Sequence, residues 1–311
     1  PLREEMLALA ARRDTAAAAA PGLRTIHRRE VLRVALGQLV GVNGPEAVSA
    51  GLDAAHTALL EALLAVIRSE PERQSVPGLE LSLIGMGRYG GAELGFASDI
   101  DLLAVFRAPE GAEGAANEAA RVIAELRTLA ADPRFPLDID FDLRPEGKNG
   151  PFVRSLSGYR SYYERWSLTW EAQALLRARA VAGDAELGAD FMRLADEIRY
   201  PETFGDSEAR EVRRSKARVE AERLPRGADP LRHLKLGPGA ISDVEWLLQL
   251  LQLQHAAAMA ELRTASTLGG LAAAVRGGLL DEESRETLEV AWKLAGEIRS
   301  ANRLWSGRGS D

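Results

Sequence analysis

Cysteine is absent from this 311-residue chain, which excludes disulfides, thiolate nucleophiles and sulfur-bound metals. Histidine is scarce. His27, His56, His233 and His255 show no metal-ligand spacing, and no role is assigned to them. A metal would therefore sit on carboxylate oxygens and be a hard cation. Lysine is limited to Lys148, Lys216, Lys235 and Lys293, and the net charge is −7. With no basic excess, a nucleic-acid partner is not expected. No apolar run reads as approaching a membrane span, and the start, Pro1-Leu2-Arg3, has neither an initiator Met nor a charged-then-apolar leader. The chain reads as a piece of a longer cytoplasmic protein, ending arbitrarily within Ser306-Gly307-Arg308-Gly309-Ser310-Asp311.

What is present is the composition of an ordinary globular protein, 46% hydrophobic and 27% charged. The length exceeds one ordinary core. Residues 4–70 read as helices punctuated by Pro21-Gly22 and Gly41-Val42-Asn43-Gly44-Pro45, with Leu52, His56, Leu59, Leu60, Leu63 and Leu64 on one face. The character changes at Val76-Pro77-Gly78. Residues 79–84 and 100–106 are short apolar runs, and residues 136–143 alternate strictly, so three strands are expected. Residues 117–130 read as a helix with Ala120, Val122, Ile123 and Leu126 inward. From Ser157 strand signals vanish, and 159–182, 207–224, 240–260 and 281–304 read as a helix bundle. The expected division is 1–75, an N-terminal helical segment; 76–156, an α/β core; and 157–311, a helical domain. The fold class is α+β and mostly helical.

The chemistry concentrates in Leu81 to Phe106. Gly90-Gly91 is followed by Ser98-Asp99-Ile100-Asp101 at the head of an apolar strand. Residues two apart on a strand point the same way, so Asp99 and Asp101 share a face and Ile100 takes the other. In the second acidic run, Asp138, Asp140 and Asp142 share a face by the same rule, while Ile139, Phe141 and Leu143 anchor the strand. Like charges this close repel unless solvated or held by a cation. If the two strands are neighbours, the carboxylates form a site for Mg²⁺, which takes carboxylate oxygens, phosphates and waters. The glycine pair would let the backbone bring N–H groups to phosphates. Taken alone, Gly90-Gly91 reads as a tight turn. Spacing does not choose among Asp138, Asp140 and Asp142.

These features resemble the nucleotidyltransferase superfamily that includes DNA polymerase β. Four segments in order are closer still to glutamine synthetase adenylyltransferases. They are Gly85-Met86-Gly87-Arg88-Tyr89-Gly90-Gly91 with Ser98-Asp99-Ile100-Asp101; Leu143-Arg144-Pro145-Glu146-Gly147; Trp170-Glu171-Ala172-Gln173-Ala174-Leu175-Leu176-Arg177-Ala178-Arg179; and Lys235-Leu236-Gly237-Pro238-Gly239 with Asp243-Val244-Glu245-Trp246. Asp142 stands where that family usually has Arg, and Ala240 where it has Gly. The resemblance implies a small polymerase β-like sheet with a crossover helix. It implies ATP as substrate and two Mg²⁺ ions, Asp99 and Asp101 binding both and Asp140 one, with Asp140 helping to draw the proton from a tyrosine hydroxyl of glutamine synthetase. Gly90, Gly91 and Ser98 would cradle the triphosphate. Family members carry an AMP-attaching and an AMP-removing half. The Trp-Glu-x-Gln-Ala-Leu wording and Arg223-Leu224-Pro225-Arg226-Gly227 resemble the attaching, C-terminal half of actinobacterial versions. The rivals are the removing half, a non-catalytic nucleotide-sensing module, and a transferase acting on a small molecule. A PII-type signalling protein is a further implied partner of the full-length enzyme.

Arg144 and Lys148 flank a glycine turn and would reach phosphates, or Arg144 would pair with a nearby Asp. Lys235 would meet phosphate at a helix start. Asp243 and Glu245 read as helix-start carboxylates. The helix bearing Arg210, Arg213, Arg214, Lys216, Arg218 and Arg223 among Glu208, Glu211, Glu220 and Glu222 reads as a solvated, salt-laced face or a dock for an acidic partner. Trp166 and Trp170, four apart, read as core packing on one helix.

Overall fold

A computed structural model describes residues 1–135 and 137–307. Three helices come first: α1 (Leu2–Ala10), α2 (Ala16–Leu39) and α3 (Pro45–Ser69). Thr15 caps α2, its hydroxyl accepting from Ala18 N, which is the ordinary N-cap arrangement. Pro21 does not break α2. It lies inside the helix, where burial of Ala19, Ala20 and Leu23 outweighs the one lost backbone bond. A Cβ at Gly22 would stand 3.0 Å from the Leu9 side chain of α1, a tight contact to which Leu9 would have to yield. The break at Gly41 to Pro45 does occur.

Helix α3 buries Leu52, His56, Leu59, Leu60, Leu63 and Leu64, as its periodicity requires. Each fully buried leucine contributes about 1.5–3 kcal/mol. By length and composition α3 would also pass for a membrane span, which corrects the sequence reading. Most of it is buried within the protein, as expected of a core helix.

The sheet is built from β1 (Glu80–Gly85), β2 (Ile100–Arg107), β3 (Ile139–Asp140), β4 (Arg154–Ser155) and β5 (Arg179–Gly183), with the helical turn α4 (Gly87–Gly90) and helix α5 (Ala115–Ala130) between its members. The order is β3-β2-β1-β5, with β4 also on β2. β1 is antiparallel to β2 and to β5, whereas β3 and β4 run parallel to β2. Helix α5 buries Val122, Ile123 and Leu126.

Two further expectations need correction. The third strand is two residues long rather than eight, and of the run 136–143, Pro136 lies outside the described residues. The stretch 159–182 is not one helix: it comprises α6 (Leu156–Trp166), α7 (Thr169–Leu175) and β5. Trp166 and Trp170 therefore sit on different helices, and Trp166 is 67% exposed. Strand β5 has only Val181 as a β-former, and its strand character comes from pairing with β1. Gly183 ends it at φ 96°, where a Cβ would stand 2.1 Å from Leu81 O.

Helix α8 (Ala185–Arg199) follows, then α9 (Asp206–Arg223), α10 (Ile241–His255), α11 (Thr267–Arg276) and α12 (Glu282–Ser306). The chain separates into two compact units. The first comprises residues 1–94, 98–166 and 178–194, and the second residues 95–97, 167–177 and 195–311. Helices α1–α3 thus belong with the sheet, and the units are cut differently from a division at 75/76 and 156/157. Within the second unit one core gathers Leu176, Tyr200, Val212, Leu253 and Leu262, and another gathers Ile241, Val244, Leu271 and Trp292. The charged side of α9 is exposed while Ala209 and Val212 are buried.

Candidate active site

The acidic residues meet at the start of β2. Ile100 pairs with Ile139 and Asp101 with Asp140. The isoleucines are buried, so they fix the register, and alternation sends Asp101 and Asp140 together to the other face. The join is sealed by Ile100 N donating to Asp138 O at 2.8 Å. Asp99 immediately precedes β2 and is exposed; Asp101 and Asp140 are partly exposed. Among the described residues no group of three His, Asp or Glu side chains stands ready to hold a metal ion. The site is therefore a pair of carboxylates on neighbouring strands with a third beside it. That donor set fits Mg²⁺, which commonly takes one or two protein carboxylates and completes its shell with phosphate oxygens and water.

Asp142 does not share the face of Asp140, because the strand ends there. The Asp142 amide folds back and donates to Asp140 Oδ1 at 2.7 Å, an Asx turn that orients the Asp140 carboxylate. Asp142 itself pairs with Lys148 at 3.1 Å and lies 3.6 Å from Arg144.

Arg144 has its guanidinium engaged inside its own loop. Nε donates to Gly150 O, one terminal nitrogen to Phe141 O and the other to Lys148 O, all at 2.9–3.0 Å. It brackets residues 141–150, with Asp142 close by. Lys148 is largely exposed. Lys235 lies in the second unit, in an exposed turn before α10. That turn is organised by His233, whose Nδ1 accepts from Lys235 N at 3.3 Å and Leu236 N at 3.0 Å.

The glycine pair forms the end of α4. Gly90 N donates to Met86 O at 2.7 Å and Gly91 N to Gly87 O at 3.2 Å. These amides are engaged within the turn. The glycine that touches the acidic site is Gly87, at φ 52°. A Cβ there would stand 2.3 Å from Asp101 Oδ2. Met86 N also donates to Asp101 O at 2.9 Å, so α4 backs the Asp101 carboxylate. Ser98 is partly buried in the segment leading into β2.

The motif from Trp170 to Arg179 resolves into separate tasks. Glu171 accepts from Leu168 N at 2.9 Å and caps α7. Gln173 donates to Gln249 at 2.7 Å, and the buried Arg177 donates to Thr267 at 2.7 Å. Arg179, in the first unit, donates to Tyr89 O and Gly90 O. Sequence reasoning assigned Arg179 no task, although the motif contains it. It also missed a buried histidine pair, His27 Nε2 and His56 Nδ1, 2.8 Å apart. The position of His56 on the buried face of α3 was the available signal.

A sequence profile of the family described as glutamate-ammonia ligase adenylyltransferase matches residues 2–194, and one described as GlnD PII-uridylyltransferase matches residues 204–311. The chain is 53% identical over its full length to a bifunctional glutamine synthetase adenylyltransferase/adenylyl-removing enzyme of Leifsonia xyli subsp. xyli, covering 31% of that protein. It is 47% identical to the Streptomyces coelicolor enzyme of that description, with all of the chain and 33% of the relative covered. The corresponding values for Mycobacterium tuberculosis are 44% identity, 98% of the chain and 31% of the relative. The chain spans about a third of the length of the curated relatives it matches.

Proposed function

Because the chain belongs to the glutamate-ammonia ligase adenylyltransferase family, we propose that it transfers AMP from ATP to a tyrosine hydroxyl of glutamine synthetase. It would be the attaching unit of a longer, cytoplasmic, bifunctional enzyme that also meets a PII-type protein. The observation that carries this reading is the registered Asp101–Asp140 pair on parallel strands, with Asp99 beside it. The attaching half is favoured by the wording of the Trp170 to Arg179 segment.

The tyrosine oxygen forms a bond to the α-phosphorus as the bond to the bridging oxygen breaks, and pyrophosphate leaves. A tyrosine hydroxyl has a pKa of about 10, so it needs help to lose its proton. Asp140, whose carboxylate accepts from the Asp142 amide, would help to draw that proton. Asp99 and Asp101 would hold Mg²⁺, two ions in all with Asp140 sharing one. When bound there, Mg²⁺ would supply charge neutralisation on the phosphates. Ser98 and the exposed Lys148 would meet the triphosphate from this unit.

The test combines the protein, ATP labelled at the α-phosphate, Mg²⁺ and unmodified glutamine synthetase. Label on tyrosine, lost in Asp101→Asn, supports the reading. If label does not transfer while phosphate drives release of ADP from adenylylated glutamine synthetase, this is the removing half. If neither reaction occurs and ATP still binds, it is a sensing module.

A further inference from the structure

We propose that Arg179 is a positioning residue for the metal and nucleotide end of β2, acting through the turn α4; this rests on the nucleotidyl-transfer reading above. The place of the Asp101 carboxylate depends on α4, because Gly87 lies against Oδ2 and Met86 N holds Asp101 O. Yet α4 is only four residues long, and a single helical turn is not stable by itself. It has to be held from outside.

Arg179 does this from β5. Nε donates to Gly90 O at 3.0 Å, and a terminal nitrogen donates to Tyr89 O at 3.0 Å and also to Asp53 Oδ1 of α3. Its guanidinium lies 5.7 Å from the centre of the Tyr89 ring. That ring is fully buried, and its hydroxyl meets Thr57 Oγ1 of α3 at 2.9 Å. One planar fork thus ties α3, α4 and β5 around the turn that backs Asp101. Only arginine has this fork; the lysine ammonium does not reproduce it. Arg179 touches neither carboxylate of the registered pair in any of these contacts. Its influence passes through the backbone of residues 86–91.

The experiment uses the 311-residue chain with Arg179→Ala, Arg179→Lys and Asp53→Asn. Three quantities are measured: amide hydrogen exchange across residues 86–94, Mn²⁺ binding in the presence of ATP by electron paramagnetic resonance, and thermal melting. Arg179→Ala is expected to speed exchange in 86–94 and to weaken Mn²⁺ binding about tenfold or more, the usual size of an outer-sphere effect on a metal site. Arg179→Lys is expected to recover melting better than Mn²⁺ binding, and Asp53→Asn to be milder in both. If Arg179→Ala fails to fold, the other two variants decide. Unchanged exchange in 86–94 overturns the clamp. Faster exchange with unchanged Mn²⁺ binding overturns the link to the site, as does Mn²⁺ binding that recovers fully with melting in Arg179→Lys. Wild-type protein that binds no Mn²⁺ with ATP overturns the nucleotidyl-transfer reading and this inference with it. Wild-type binding that Arg179→Lys leaves intact overturns this inference alone.

Discussion

Asp101 and Asp140 are register partners on adjacent parallel strands, held there by the buried Ile100–Ile139 pair beside them. The core thus fixes the spacing of two like charges at the surface. A divalent cation would relieve that repulsion, and Mg-ATP should therefore stabilise the fold. Ligand at about 100 times its Kd adds about 2.7 kcal/mol. Asp101→Asn is expected to keep its circular dichroism spectrum and to lose the Mg-ATP-induced rise in melting temperature. A rise of the same size in Asp101→Asn would remove Asp101 from the site.

Gly87 cannot carry a side chain without disturbing Asp101. Its φ of 52° costs about 1–2 kcal/mol for an L-residue, and the new Cβ would collide with Asp101 Oδ2. Gly87→Ala should lower stability by that amount in urea unfolding. It should also abolish label transfer at protein concentrations and temperatures where the variant is fully folded. Folded, fully active Gly87→Ala would show that Asp101 moves without consequence.

How far the sequence discloses this site can be judged residue by residue. Alternation places Asp99 and Asp101 on one face, and the same rule places Asp140 opposite once β2 and β3 are neighbours. It fails at Asp142, because an Asx turn ends the strand after two residues. No periodicity rule weighs a side-chain-to-backbone bond of that kind. Strand β5 was invisible because Arg179-Ala180-Val181-Ala182-Gly183 favours helix by propensity, and the edge of β1 overrides that preference. The task of Arg179 was hidden for the same reason, since its partners Asp53, Tyr89 and Gly90 lie 89–126 residues away.

Arg144 is expected to matter for the loop and not for ATP. Its donors satisfy the carbonyls of Phe141, Lys148 and Gly150. Arg144→Ala should cost about 2 kcal/mol or more, given the strength of hydrogen bonds from a charged donor. Limited proteolysis should open residues 141–150 first. Arg144→Lys should not restore protection, because a single ammonium cannot serve three diverging carbonyls. An ATP affinity reduced more than stability would return Arg144 to the phosphate site.

The His27–His56 pair makes stability depend on pH. Their ring nitrogens meet between α2 and α3, one donating and the other accepting, with Phe135 edge-on to His27 at 5.8 Å. Burial pushes His27 down from 6.5 to about 4, opposed by nearby Asp132 and reinforced by Arg28. Burial also holds His56 well below its ordinary value, with His27 adding to it. The unfolded chain therefore binds more protons than the native one below pH 6.5. By linkage the pair's neutral state is favoured fully above pH 6.5, and stability drains away as pH falls toward 4. The neighbouring Arg28–Asp132 ion pair acts in a separate, more acidic window, because the Asp132 pKa is lowered from 3.8. His27→Gln should be less stable than wild type at pH 8. Its unfolding free energy should change less between pH 6.5 and 4.5, since one of the two buried protonation sites is gone. Urea unfolding at those three pH values measures both quantities. A variant with the wild-type slope would show that the acid sensitivity of this protein arises elsewhere.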